Sequence, residues 1–167
     1  MKRILILGLC ICIIALTACS VKPQTALLCV FDDSAAAPAP AFSLKADIPD
    51  DALALNDTNA ASVLYEQGDY EMISETFFAQ SAAEGLEKIT GKTADSIQIM
   101  HLNAFPQEEY RFSWTVAGED GDLTCCGTMF FDGNTCYGLS FQCPSALENR
   151  YRSTFYHILS NAELQPV

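Results

Sequence analysis

The chain has 167 residues, 21 of them acidic and 9 basic, for a formal charge of −12 at pH 7. A field of that sign repels polyphosphate and anionic headgroups, which argues against nucleic acid as a partner and against electrostatic membrane binding. Half the residues are hydrophobic and 18% are charged, a balance that suits one folded domain with one core rather than a disordered chain.

Lys2 and Arg3 precede an uncharged, almost wholly apolar run of 13 residues from Ile4 to Leu16. That is the length of a secretory signal core and shorter than the roughly 17 residues a helix needs to cross a bilayer. The run closes on Leu16-Thr17-Ala18-Cys19. These four residues resemble the lipobox of bacterial lipoproteins: an aliphatic residue, two small ones, then cysteine. The resemblance covers the leader and implies a signal peptide over 1–18, cleavage between Ala18 and Cys19, and lipid of the palmitate kind on Cys19. A thiol is the nucleophile that takes a diacylglyceryl group as a thioether, and small residues before it admit the peptidase. Each buried CH2 contributes about 0.8 kcal/mol, so two chains hold far more firmly than one. Cleavage removes two of the nine bases and no acid, leaving a charge of −14. The expected place is a cell membrane, facing outside the cytoplasm. Ser20 follows the cysteine where an Asp would signal inner-membrane retention, so a diderm host implies the outer membrane.

Residues 19–41 are expected to tether the domain. Ser34 to Ala41 alternates alanine with proline, which opposes helix and favours extended chain. Thr25–Phe31 is either a first strand or part of that tether. One domain is expected over 42–167. Phe42–Ile48, Ser62–Gln67 and Tyr70–Phe78 read as strands, the last two around Gly68-Asp69. Ser81-Ala82-Ala83-Glu84 is a capping box, with Phe78, Ala82, Leu86 and Ile89 at helical spacing and Gly91 as the stop. Ile97–Leu102 is a strand. Tyr110, Phe112, Trp114 and Val116 alternate with Arg111, Ser113 and Thr115, a strand with one apolar and one polar face. Asp120-Gly121 and Asp132-Gly133 mark turns, with Leu123–Phe131 between them and Tyr137–Cys143 after them. Ser145-Ala146-Leu147-Glu148 is a second capping box, opening a helix with Tyr151, Phe155, Ile158 and Leu159 on one face.

Strands in meander order with flanking helices predict an α+β fold. The Tyr110–Val116 strand, the two Asp-Gly turns, the Tyr137–Phe141 strand and the Ser145-capped helix together resemble the PsbP-like family over roughly the last 100 residues. That resemblance implies an α/β/α sandwich on an antiparallel sheet, and a binding or accessory module rather than a reaction.

Five cysteines besides Cys19 follow the leader: Cys29, Cys125, Cys126, Cys136 and Cys143. Export permits disulfides. A turn pairing Phe131 with Thr135 would set Cys125 opposite Phe141, and a shift of one residue on each strand would set it opposite Cys143. Buried free thiols are the reading these positions favour, with a Cys125–Cys143 disulfide as the alternative to test. The spacings do not suit zinc, since adjacent Cys125 and Cys126 point to opposite faces. His101 and His157 have no nucleophile near them in sequence. Glu119, Asp120, Asp122 and Asp132 fit turns better than a calcium loop, and Glu108-Glu109 fits a solvated loop. Gly91-Lys92-Thr93 ends a helix where a phosphate loop begins one. No cofactor or metal is expected. The reading is a lipid-anchored, non-catalytic binding or accessory domain whose partner is an envelope protein or a small ligand. A hydrolase using acidic residues, or a thiol-redox protein using Cys125-Cys126, is the alternative.

Overall fold

The computed structural model describes residues 39–56, 61–102 and 107–167. The leader, Cys19, Cys29 and the strand expected over 25–31 lie outside the described residues.

In chain order the elements are β1 (Phe42–Lys45), β2 (Leu53–Ala54), β3 (Ser62–Gln67), β4 (Tyr70–Phe78), α1 (Ala82–Thr90), β5 (Gln98–Leu102), β6 (Glu108–Val116), β7 (Leu123–Phe131), β8 (Thr135–Pro144), α2 (Glu148–Ser160) and β9 (Glu163–Pro166). Among the described residues, seven strands form one antiparallel sheet in the order β2-β3-β4-β8-β7-β6-β5. β1 and β9 form a separate antiparallel pair, Phe42 opposite Pro166. α1 covers one face of the large sheet; α2 and the β1–β9 pair cover the other. The fold is α+β, a sandwich of helices around an antiparallel sheet.

Each face carries its own core. β8 lies at the centre, buried from Cys136 through Cys143, and its alternate side chains feed both layers. Leu139, Phe141 and Cys143 join Tyr70, Met72 and the α2 residues Phe155, Ile158 and Leu159. Cys136 joins Leu86 and Ile89 of α1, with Phe112, Trp114, Cys125 and Met129. The apolar alternation of Tyr110, Phe112, Trp114 and Val116 thus faces α1, as a period of two requires.

α1 starts where the capping residues place it. Ser81 Oγ accepts the Glu84 N–H at 3.2 Å, and Glu84 Oε2 accepts the Gln80 N–H at 2.8 Å. Gly91 ends the helix at φ 65°, where a residue with a Cβ is strained, and donates to the Glu87 carbonyl.

Several expectations change. Phe78 ends β4 and is 42% exposed rather than lying on the α1 face. The second capping box does not form: Ser145–Leu147 is a 3-10 turn and α2 starts at Glu148 without a side-chain cap. The Ser145 hydroxyl lies instead 2.8 Å from Thr124 Oγ1, and its N–H donates to the Asp122 carbonyl, so a contact across the sheet end captures the residue. The turn after β7 also differs. Asp132 Oδ1 accepts the N–H groups of Asn134 and Thr135, which sets Phe131 opposite Cys136 rather than Thr135. That one-residue difference decides the cysteines. Cys125 stands opposite Gln142 and Cys143 opposite Thr124. Cys125 points into the α1-side core and Cys143 into the α2-side core, so the alternative, a disulfide between them, is not formed. Cys125, Cys126, Cys136 and Cys143 are free thiols.

Candidate functional site

A wide concavity lies beside α2, on the face away from α1. An aromatic cluster sets the position of that helix. Phe155 stacks on Phe141 at 4.5 Å and meets Tyr70 edge-on at 5.2 Å, while Tyr151 meets Tyr70 at 5.0 Å. Tyr70 and Phe141 belong to β4 and β8, so the helix is drawn towards the middle of the sheet. The surface of β5 and β6 beside it stays open. The result is a groove of about 1070 Å3.

Its floor is the polar side of β6, Arg111, Ser113 and Thr115, with Cys126 of β7 and Gln98 and Met100 of β5. Its wall is the outer side of α2, carrying Glu148, Arg152 and Tyr156. Arg111 Nε donates to Glu109 Oε1 at 2.8 Å, and Thr128 Oγ1 donates to the same oxygen at 3.3 Å. Arg152 pairs with Glu148 at 2.8 Å. Tyr156 and Met100 are 70% and 60% exposed, so the rim offers apolar surface beside these ion pairs. Lys92, Arg111 and Arg152 face only Asp95 and Glu148 in the lining. In a chain of charge −12 this is a locally neutral to basic strip.

The adjacent thiols, Cys126 in the groove floor and Cys125 in the core behind it, are poor nucleophiles. Burial pushes both Cys125 and Cys126 up to about 12, with neighbouring cysteines adding to it. A reactive thiol needs the opposite shift, because only the thiolate attacks. This weighs against redox work by the adjacent pair.

The carboxylates are distributed elsewhere. A second concavity of about 580 Å3 gathers Asp51, Glu66 and Arg150 near Tyr151. Asp51 Oδ2 accepts from Gln67 Nε2 at 2.6 Å, and both acids are exposed. A general acid for glycoside cleavage needs burial to keep its proton. The acids that burial raises are Glu71 and Glu75, the latter to about 7, while Gln142 Nε2 donates to Glu71 and opposes the shift there. They lie four residues apart on one face of β4, about 13 Å along the strand. That exceeds the roughly 5–9.5 Å between two working carboxylates.

The remaining sequence candidates are surface features. His101 stacks on Tyr110 at 4.5 Å, and His157 lies 3.9 Å from Asp47. Asp132 serves its turn and accepts from Tyr137 Oη at 3.0 Å. Among the described residues, no three His, Cys, Asp or Glu side chains are grouped to hold a metal ion. No described helix is long and apolar enough to cross a membrane. The groove itself is a site that sequence reasoning missed. The alternation of Arg111, Ser113 and Thr115 was its available signal.

No protein-family model and no curated protein matches the chain. Among solved structures, it is similar to the solution structure of cyanobacterial PsbP (CyanoP) from Synechocystis sp. PCC 6803. The TM-score is 0.50 at 8% identity, over 78% of this chain and 96% of that one. At that identity the likeness concerns the fold alone, and the fold is PsbP-like.

Proposed function

We propose that this chain is an extracytoplasmic lipoprotein, held on a membrane by lipid on Cys19, whose PsbP-like domain is a non-catalytic binding or accessory module. The observation that carries the binding role is the open groove beside α2. It offers exposed Tyr156 for apolar contact and Arg111 and Arg152 for orientation. Concave surfaces lined by apolar groups and a few fixed polar ones are where proteins take ligands. The partner is an envelope protein or a small ligand. The anchoring role rests on Leu16-Thr17-Ala18-Cys19 and on the acidic charge, which leaves attachment to the lipid rather than to surface electrostatics. The location that follows is the membrane surface outside the cytoplasm, the outer membrane in a diderm host.

Two substitutions in the full chain test the two halves. Cys19→Ala removes incorporation of a labelled fatty acid and releases the protein from membranes; retained label and attachment would refute the anchor. Tyr156→Ala leaves expression intact and abolishes recovery of whatever the anchored protein captures from its own envelope. Equal recovery by both forms would refute the groove.

A second reading, an envelope hydrolase, has in its favour that one concavity gathers Asp51 and Glu66, and against it that both are exposed. Glycan turnover lost on Glu66→Gln would establish it over the binding role.

A further inference from the structure

We propose that β5 is the interface of a homodimer, two copies pairing their β5 strands antiparallel about a two-fold axis at Met100. Among the described residues, β5 is hydrogen-bonded to β6 on one side and ends the large sheet on the other. Gln98 to His101 are exposed, Ile99 at 38% and Met100 at 60%. Sheet edges are usually guarded by Lys, Pro, an inward charge or a bulge. Gln98-Ile99-Met100-His101-Leu102 has no Lys, Arg, Asp, Glu, Pro or Gly, and its five residues pair with β6 without interruption.

The electrostatics favour a second copy as the occupant. Two chains of charge −12 repel over most of their surfaces. This edge lets them meet without acid opposing acid. The two-fold register sets Gln98 against Leu102 of the second copy, Ile99 against His101 and Met100 against Met100. Like charges directly opposite destabilise a ladder, and this ladder has none. Arg111 stands opposite Met100 on β6 and is paired with Glu109. Three strand spacings, about 14 Å, separate it from its copy.

Both faces gain cover. Ile99 of one copy lies beside His101 of the other, which is already flat against Tyr110. The two Met100 side chains meet on the groove side, so two grooves abut across the axis. The opposite sheet edge, β2, has two residues and follows Asp50 and Asp51. Among the described residues the large sheet therefore has one usable edge, and pairing through it closes at two rather than running into fibres.

The test uses the full lipoprotein in its own membrane, with Met100→Cys and a short bis-maleimide. The expected product is a covalent dimer, absent from wild type and from Glu87→Cys on the exposed side of α1. Adding Ile99→Lys to Met100→Cys cuts the dimer at least tenfold while protease resistance shows the domain still folded. Absence of a dimer overturns the proposal, whether the thiol labels with a monofunctional maleimide (a free edge) or not (an edge covered by another chain). An adduct with a different protein, equal yield from Glu87→Cys, or an undiminished dimer with Ile99→Lys overturns it as well.

Discussion

The two faces of the sheet are closed by different means, and the contrast separates stability from binding. On the α1 face, small residues bring the layers close. Gly85 of α1 rests on Cys136 and Met129, and a Cβ at Gly138 of β8 would stand 2.9 Å from Ile89 Cδ1. A nine-residue helix can seal that face because it lies almost on the strands. On the other face, bulky rings do the packing. Tyr70, Phe141, Tyr151 and Phe155 hold α2 near the sheet centre. The helix covers what the rings reach and leaves β5–β6 open. One face is built for density, the other for a gap.

Phe155→Ala should break this contrast most severely. It removes a ring that touches three others and is itself buried. The expected loss is about 3–5 kcal/mol, read by urea denaturation, because aromatic truncation in a core costs that much. The groove wall should loosen with it.

Gly85→Ala comes next and sharpens the picture of the other face. Alanine is the better helix former by about 1 kcal/mol, yet its methyl would overlap Cys136 Sγ and stand 2.9 Å from Met129 Sδ. A net loss of about 1–3 kcal/mol is expected, as for overpacked cores. Cys136→Ala in the same chain should recover part of it. Simple additivity of the two changes would show that the layers are less closely packed than described.

The smallest effect is a pH dependence. Burial raises Glu75 from 4.5 to about 7, so between those values the folded state binds the proton that the unfolded state has lost. Stability from this group is full below about 4.5 and is lost as pH rises through about 7. Glu75→Gln should flatten that slope and stabilise the protein at pH 8 by on the order of 1 kcal/mol. Parallel stability curves for the two forms between pH 4.5 and 8 would show that Glu75 is solvated.

Strand identity was legible wherever one face alternates, and the limits of that reading are instructive. Tyr110 to Val116 announced both its apolar side and the polar side that floors the groove. Ser81 and Glu84 announced α1. The same logic misplaced Ser145, because a capping serine is indistinguishable in sequence from one that bonds Thr124 across a sheet end. β9 carries too short a pattern to announce a strand and exists because β1 pairs with it more than a hundred residues away. The groove needs α2 to stop short of β5, which no local signal encodes.

The amino-acid sequence by itself determined the class of fold, the alternation of β6, the start of α1 and the acidic charge, since each depends on neighbours a few positions apart. It also carries the whole basis for expecting lipid on Cys19. Only the tertiary structure decided the register between β7 and β8, the separation of Cys125 from Cys143, and the opening beside α2. Those depend on how the Asp132 carboxylate shapes one turn and on where four aromatic rings meet. Such contacts join residues far apart in the chain, and a change of one residue in register moves a side chain from one core to the other.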